Sequence, residues 1–271
     1  MRELSNVFGY SRQNYYKHAK ITANYEVLKQ KVVSFVREAR KEQPKVGFRK
    51  LYLSLNSANI RVGRDKLLEI LRNKNLLIKR RKNYRITTDS NHNYKRYKNL
   101  IKDNLPKRPD EQYVSDITYI ETAEGWSYVR LITDRYSRKI KGWSITRDLT
   151  VEGNIEALKM LERNRRIKRR GAIHHSDQGK QYCCGKYTKL LTRFGMKISM
   201  TEEDHVYENA MAERVNGILK QEFGLGGRLP SHEVAKKMLN QAIKVYNEKR
   251  LHMAIEYQIP EEFDKKMCQL F

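Results

Sequence analysis

The stretch Val206–Phe223, VYENAMAERVNGILKQEF, combines the spacing of an amphipathic helix with an unusual polar face. At about 3.6 residues per turn, four polar residues fall on one narrow stripe: Asn209, Glu213, Asn216 and Lys220. Apolar residues occupy the opposite side, as expected of a helix that faces a core. Because asparagine is unfavourable inside helices, two of them beside a glutamate and a lysine indicate a face selected for chemistry. Taken alone, the stripe also fits an ordinary solvated helix face.

Two further stretches place an aspartate in a strand or just after one. Gln112–Thr122, QYVSDITYIET, is rich in β-branched and aromatic residues and predicts a strand that contains Asp116. Ala172–Tyr182, AIHHSDQGKQY, begins as a short apolar strand and continues into a polar turn with Asp177. The chain has 31 acidic residues, so the spacing of these two aspartates and Glu213 occurs easily by chance. The interpretation therefore depends on the flanking residues.

The flanking residues form three motifs in a fixed order: Asp-Ile-Thr-Tyr in a strand, His-Ser-Asp-x-Gly-x-Gln-Tyr after a strand, and Asn-Ala-x-x-Glu with a lysine seven residues on. In these motifs, and over nearly its whole length, the chain resembles the D-D-E transposases of the RNase H-like, retroviral-integrase superfamily. Within that superfamily it is similar to the OrfB products of the IS3 group of bacterial insertion sequences. It departs from the commonest pattern at Tyr113, where tryptophan is expected, and at Glu208, where aspartate is frequent.

The resemblance implies both a fold and a reaction. The fold is an α/β RNase H-like catalytic core, a mixed sheet with flanking helices, preceded by an all-α helix-turn-helix domain. The reaction is cleavage of DNA strands by water at the ends of the insertion sequence, followed by attack of the freed 3′-hydroxyl on another phosphodiester. The implied partners are terminal-repeat and target DNA, a first-frame OrfA product or its frameshift fusion, and further copies of the chain on DNA. The implied location is the bacterial cytoplasm, at the nucleoid.

Three carboxylates that converge from two strands and a helix suit two hard divalent cations, Mg²⁺ or Mn²⁺. Two such ions about 3.5–4 Å apart activate the attacking oxygen and stabilise the leaving oxygen in phosphoryl transfer. We expect Asp116 to bridge both ions, with Asp177 and Glu213 each completing one side. We expect DNA contacts from three residues of the helix stripe, with an ordinary surface role as the alternative for the lysine: Lys220, Asn209 and Asn216.

Charge and domain organisation point to a polyanionic partner. The net charge is +25, and residues 1–110 hold 28 Lys and Arg against 9 Asp and Glu, a net charge of +19. This asymmetry indicates a polyanion bound chiefly by the first part of the chain. An anionic membrane is the competing partner, but no lysine-rich helix carries an apolar face to insert, and no apolar run is long enough to span a bilayer.

The chain is predicted to contain five segments. These are an N-terminal segment (1–25), a helix-turn-helix DNA-binding domain (26–87), a basic linker that does not pack on either side (88–109), an integrase catalytic core (110–225) and a C-terminal helical extension of the core (226–271). In the core, three strands form a meander, a crossover helix follows, and two more strands and their covering helices complete the RNase H-like order.

The basic first part has the pattern of a helix-turn-helix module. Glu26–Gln43 ends before a proline, Phe48–Leu55 has an apolar inner face, and Arg64–Asn75 follows a turn. In such modules one helix enters the major groove, and here Arg64–Asn75 is the candidate, with a basic wing after it. The candidate DNA contacts are Arg64, Lys66 and Arg72 on this helix and Lys79, Arg80, Arg81 and Lys82 in the wing. The alternative is a solvated three-helix bundle without specificity.

Two cysteines close to two histidines raise the alternative of a zinc site. Cys183-Cys184 and His174-His175 lack the paired spacing of a structural zinc site, so small buried residues beside the active-site loop are the favoured interpretation. With Cys268 the chain has three cysteines, an odd number without a disulfide framework, which indicates a reducing compartment.

Two other functions stay open at the level of sequence. A DNA-binding regulator derived from a transposase would keep the fold without the reaction, although three clustered carboxylates near DNA add repulsion that a binder does not need. A non-transposing RNase H-like nuclease would cleave DNA and never join a 3′-hydroxyl to a target.

Overall fold

The computed structural model describes residues 12–78, 95–168, 170–202 and 209–270. The chain forms two compact units, Met1–Arg80 and Arg81–Phe271. The four predicted wing residues, Lys79, Arg80, Arg81 and Lys82, lie outside the described residues. None of the helices in the described ranges is both long and apolar enough to cross a membrane.

Between residues 12 and 78, the first unit forms three helices around one apolar core. They are α1 (Arg12–Glu42), α2 (Phe48–Ser57) and α3 (Arg64–Asn73). Their inward faces meet at a cluster that includes Val36, Leu55 and Leu67, all at 0% exposure. Helix α1 begins well before the predicted start because neither glycine nor proline interrupts residues 12–42. The boundary predicted between segments 1–25 and 26–87 therefore falls inside one continuous helix.

The second unit is built on a sheet of five strands with the order β3-β2-β1-β4-β5. The strands are β1 (Gln112–Thr122), β2 (Gly125–Asp134), β3 (Ile140–Thr146), β4 (Ile173–Ser176) and β5 (Lys197–Met200). The first three form the predicted antiparallel meander, and β4 and β5 pair in parallel with β1 and with each other. The parallel pairing brings the carboxyl ends of β1 and β4 to the same edge of the sheet.

Helices cover both faces of the sheet. They are α4 (Val151–Asn164), α5 (Lys180–Cys183), α6 (Gly185–Arg193), α7 (Ala210–Glu222), α8 (His232–Glu248) and α9 (Pro260–Cys268), with a 3-10 turn at Met253–Ile255. One buried cluster contains residues of α7 and α8 with β1–β3. The other contains residues of α4, α5 and α6 on the opposite face. This two-sided burial fixes the register of β1, since a shift by one residue exchanges its faces.

Part of the predicted linker packs on the core. We call residues 99–104 the strap. Within it, Ile101 is 3% exposed and shares a buried cluster with Val114, Ile173 and Ala212. Arg135 Nη1 donates hydrogen bonds to the carbonyl oxygens of Ile101 at 3.2 Å and of Asn104 at 2.7 Å. This differs from the predicted unpacked linker, because a single isoleucine in a polar stretch has no local periodicity that would reveal its burial.

A buried ion cluster ties α9 to the strands. Lys141 Nζ lies 2.6 Å from Asp110 Oδ1, 2.7 Å from Asp264 Oδ1 and 3.4 Å from Asp134 Oδ2, and all four side chains are 0% exposed. The surrounding carboxylates raise the pKa of Lys141 although burial opposes this, so the ammonium stays charged. Removing one partner from such a group leaves charges buried without compensation.

We therefore predict that Lys141→Met destabilises the second unit by about 3–5 kcal/mol. Both tryptophans, Trp126 and Trp143, belong to this unit, so urea unfolding followed by tryptophan fluorescence reports on it. The control is Lys186→Met, whose ion pair with Glu152 is 71% and 62% exposed and should therefore contribute little to stability. Equal effects of the two substitutions would contradict the stabilising role of the buried cluster.

Candidate active site

Strand β1 carries the first acid, Asp116, in the middle of the sheet. Asp116 pairs with Leu131 of β2, and the ladder with β4 on the other side ends two residues earlier, at Val114. Asp116 Oδ1 accepts a hydrogen bond from the backbone N–H of Ile117 at 2.9 Å. Asp116 Oδ2 accepts one from Asn216 Nδ2 of α7 at 2.7 Å. The carboxylate is thus held by its own strand and by the helix above it.

The second acid, Asp177, directly follows β4. Its Oδ1 accepts a hydrogen bond from the backbone N–H of Gly179 at 3.0 Å, which closes a tight turn. A β-carbon at Gly179 would lie 3.0 Å from the same oxygen, so a larger residue would displace the carboxylate. Gln178 Nε2 donates to the carbonyl oxygen of Thr201 at 2.7 Å and joins the turn to the end of β5.

The third acid, Glu213, lies in the first turn of α7 and is exposed to solvent. The helix begins after Asn209, whose carbonyl oxygen accepts from the backbone N–H of Glu213 at 3.2 Å. The side chain of Asn209 donates through Nδ2 to the carbonyl oxygen of Ser115 at 3.1 Å. This bond links the start of α7 to the residue that precedes Asp116.

The three acids interact electrostatically. Burial and the charge of Asp177 raise the pKa of Asp116 to about 7, Glu213 adds to the rise, and the bonds from Ile117 and Asn216 partly offset it. The carboxylate of Asp116 is therefore costly to ionise in the protein alone. A cation placed among the three acids would remove that cost.

The donor set suits a hard cation. All three side chains offer carboxylate oxygens, which Mg²⁺ and Mn²⁺ prefer, and the raised pKa of Asp116 marks a negative charge that lacks a nearby positive one. In the described part of the chain, no three histidine, cysteine, aspartate or glutamate side chains are close enough together to share one metal ion.

The two asparagines of the predicted DNA-binding stripe are buried. Asn209 and Asn216 are each 5% exposed, and both side chains donate hydrogen bonds towards β1. This geometry favours a positioning role over the DNA contact expected from the sequence. Lys220 lies in the last turn of α7 and is partly exposed, as a phosphate contact requires.

The two histidines next to Asp177 belong to the packing beneath the site. His174 Nε2 and the hydroxyl of Tyr187 are 3.0 Å apart, and burial lowers the pKa of His174 to about 3, so the ring is neutral. His175 Nδ1 and Ser199 Oγ are 2.8 Å apart. Burial raises the pKa of the Cys183 thiol to about 11. Cys183 and both histidines are buried as predicted, whereas Cys184 is half-buried.

One supporting interaction was not foreseen from the sequence. The hydroxyl groups of Ser115 and Tyr182 are 2.8 Å apart on the buried face of β1, which joins the strand of Asp116 to the short helix after Asp177. Both residues belong to the motifs, since Ser115 directly precedes Asp116 and Tyr182 ends the motif that contains Asp177, but only the tertiary structure reveals the pair.

In the first unit, the three predicted contacts on α3 lie on the helix surface. Arg64 is 75% exposed, Arg72 is exposed in the last turn, and Lys66 Nζ lies 5.3 Å from the centre of the Tyr25 ring. Leu67, Ile70 and Leu71 of the same helix face the core. The charged and apolar faces are therefore separated as predicted.

The chain matches known families over its second unit and known relatives over its whole length. Integrase core domain models match residues 106–205 and 194–260. A 31 kDa protein of insertion element IS600 from Shigella sonnei is 32% identical over 98% of this chain and 99% of its own. Transposase InsF of insertion sequence IS3A from Escherichia coli K12 is 33% identical over 65% of this chain and 61% of its own length.

The chain belongs to the IS3-type transposases. Its function is accordingly that of a DNA transposase with an integrase core. A retroviral intasome structure, that of simian T-cell lymphotropic virus with PP2A regulatory subunit B56 gamma, has a TM-score of 0.50 at 16% identity over 81% of this chain and 70% of that chain. This likeness confirms the predicted fold, an integrase catalytic core with a mixed sheet and flanking helices.

The raised pKa of Asp116 generates a prediction about this transposase without metal. A carboxyl whose folded pKa is raised contributes stability that is present below its ordinary pKa and lost as the pH rises through about 7. As the pH rises from 5 to 8, we expect the unmodified chain to lose up to about 2–3 kcal/mol of stability. Asp116→Asn, which does not titrate at this position, should not show that loss.

The measurement is urea unfolding in EDTA at pH 5 and pH 8, followed by tryptophan fluorescence. Glu156→Gln, which changes an exposed acid on α4, serves as the control and should leave the pH dependence as it was. A constant difference between Asp116→Asn and the unmodified chain at both pH values would contradict the electrostatic interpretation.

Proposed function

We propose that this transposase cleaves DNA at the ends of its insertion sequence and joins the freed 3′-hydroxyl to target DNA, with Asp116, Asp177 and Glu213 as the catalytic residues. One observation carries the proposal. Asp116 in β1, Asp177 just after the neighbouring strand β4 and Glu213 on the helix above them interact electrostatically, and the charges of Asp177 and Glu213 add to burial in raising the pKa of Asp116 to about 7. A cluster of like charges is unfavourable by itself and becomes favourable when it binds cations.

The roles of the three acids follow from their places. Asp116 interacts with both other acids and would contact two ions, while Asp177 and Glu213 would each complete one side. When bound, two Mg²⁺ or Mn²⁺ ions supply activation of the attacking oxygen and charge stabilisation of the leaving oxygen in the displacement. The protein supplies orientation through Asn216, which holds one oxygen of Asp116, and through the turn of Gly179, which holds one oxygen of Asp177.

Basic side chains in both units would contact the DNA that is bound at the acids. Lys220 is seven residues after Glu213, about two helical turns along the same face, and would contact a phosphate near the scissile bond. For the first unit we propose a helix-turn-helix role within the predicted domain 26–87, in which α3 enters the major groove with Arg64, Lys66 and Arg72 near DNA. The net charge of +19 over residues 1–110 supports a first unit that binds DNA and a second unit that holds the acids.

The reaction implies partners beyond the DNA itself. Two ends of an element must be held together for transposition, so we propose that several copies of the chain act on one DNA complex. We further propose that a first-frame OrfA product, separate or fused by frameshift, contributes to recognition of the terminal repeats. The reaction would take place in the bacterial cytoplasm, at the nucleoid, where the DNA substrate is.

The first test of this function is whether substitution of each of the three acids removes the nicking activity of the protein. We predict that Asp116→Asn, Asp177→Asn and Glu213→Gln each lower Mg²⁺-dependent nicking of element-end DNA by about 10³-fold or more, because each removes several kcal/mol of transition-state stabilisation. Circular dichroism should show an intact fold, and Glu156→Gln should retain activity.

Activity that survives any of the three substitutions would overturn the assignment of that residue. A strand-transfer assay with a pre-cleaved 3′ end separates the alternatives. A nuclease without transposition would nick and never join, and a DNA-binding regulator would bind DNA with no product of either kind.

The second test concerns DNA binding by α3. We predict that replacing Arg64, Lys66 and Arg72 by alanine lowers the slope of log Kd against log salt by about one for each residue that contacts phosphate. The matched control removes the same charge from the exposed face of α8, at Lys236, Lys237 and Lys244. Equal loss of slope in both triple variants would mean that α3 contributes only general charge.

A further inference from the structure

The strap lies against the sheet face that carries the proposed catalytic acids. Side chains of a strand alternate between faces, so Val114 shares a face with Asp116. Val114 is paired with His175 of β4, and Asp177 lies two residues further along. The buried cluster of Ile101 contains Val114, two residues before Asp116, and Ile173, four residues before Asp177 on the same face. The strap therefore packs against strand residues that lie beneath the acidic site.

The same cluster reaches the start of α7. Ala212 is a buried member, and Met211 packs against it. Both residues immediately precede Glu213, so Ile101 shares one cluster with the two strands and with the helical turn that presents the third acid. Because this turn is the first of the helix, its position depends on what lies beneath it, on the bond from Asn209 to Ser115 described above and on the contact of Arg138 Nη1 with Met211 Sδ.

Polar contacts fix the strap in place. The backbone N–H of Leu100 donates to Ser199 Oγ at 2.8 Å, and the same oxygen lies 2.8 Å from His175 Nδ1. At the other end, the carbonyl oxygen of Asn104 accepts from Gln112 Nε2 at 3.0 Å and from Arg135 Nη1 at 2.7 Å. These bonds join the strap to β1, β4 and β5, and they hold Ile101 in its place.

We propose that Ile101 is a positioning residue for Glu213 and that the strap thereby sets the affinity of the acidic site for divalent metal. The inference rests on the proposed function, because it takes Glu213 to be a metal ligand. Glu213 is exposed on the first turn of α7, and a shorter side chain at position 101 would leave a cavity under that turn. The turn would then relax towards the sheet or become mobile, and the carboxylate would lose its alignment with Asp116 and Asp177.

The test uses the full chain and measures metal binding directly. Free Mn²⁺ is followed by electron paramagnetic resonance during titration of Ile101→Ala, with thermal melting in EDTA measured in parallel. The matched control is Ile132→Ala, since Ile132 is 1% exposed and belongs to the cluster on the opposite face of the sheet. We expect both variants to melt at lower temperature, but only Ile101→Ala to bind Mn²⁺ about tenfold more weakly, as for other residues that orient ligands.

Conservative variants keep the test decisive. Ile101→Val, which leaves most of the side chain in place, should restore Mn²⁺ affinity to within about threefold of the unmodified chain. Should Ile101→Ala fail to fold, Ile101→Val and Ile132→Val replace the alanine pair, with weaker Mn²⁺ binding expected in the first alone. Equal Mn²⁺ affinity in the position-101 and position-132 variants would overturn the proposal.

Glu213→Gln distinguishes failure of this proposal from failure of the proposed function. If Glu213→Gln leaves Mn²⁺ binding unchanged, Glu213 is not a ligand, and both proposals fail. If it weakens binding while the position-101 variants match their controls, the acidic site stands and the role of the strap falls. In the double variant with Ile101→Ala, the two effects should not add, because Ile101 acts through the carboxylate that is already removed.

Discussion

Repulsion between Asp116 and Asp177 is the constraint around which the second unit is arranged. The parallel pairing of β1 with β4, which ends at Val114 and His175, places the two aspartates two residues further along neighbouring strands. Burial of Asp116, together with this repulsion, raises its pKa. A fold that places such charges together must supply enough stability elsewhere, since metal-free protein carries the cost at neutral pH.

The stabilising contacts around the site act by holding groups still, not by neutralising them. The groups that donate hydrogen bonds to Asp116, the Ile117 N–H and the Asn216 amide, are uncharged. They orient the carboxylate and leave most of its negative charge uncompensated. A lysine or arginine in the same place would stabilise the metal-free protein and compete with divalent cations. The choice of amide donors on α7 therefore agrees with a site that takes its positive charge from solution.

The acids and their elements could be predicted because their signals are local. The β-branched run around Asp116 and the polar stripe of α7 each appear within one segment, and three motifs in order identified the family. The strap could not be found this way, since Ile101 is one apolar residue in a basic stretch and its burial depends on Val114 and Ile173, which are distant in the chain. The asparagines were assigned to DNA for the same reason. Their polarity was visible in the sequence, but their partners on β1 were not.

Two acidic clusters, one just before β1 and one in the middle of the strand, compensate their charge in different ways. Just before the strand, Asp110 joins Asp264 around Lys141, and the side chains are fully buried with the lysine as an internal cation. Further along the strand, Asp116 faces two acids, and its neighbours donate neutral hydrogen bonds. The first arrangement is permanent because its cation is covalently part of the chain. At the second cluster the cation can be exchanged with solution. The proposed reaction, which binds and releases DNA together with metal, requires this exchange.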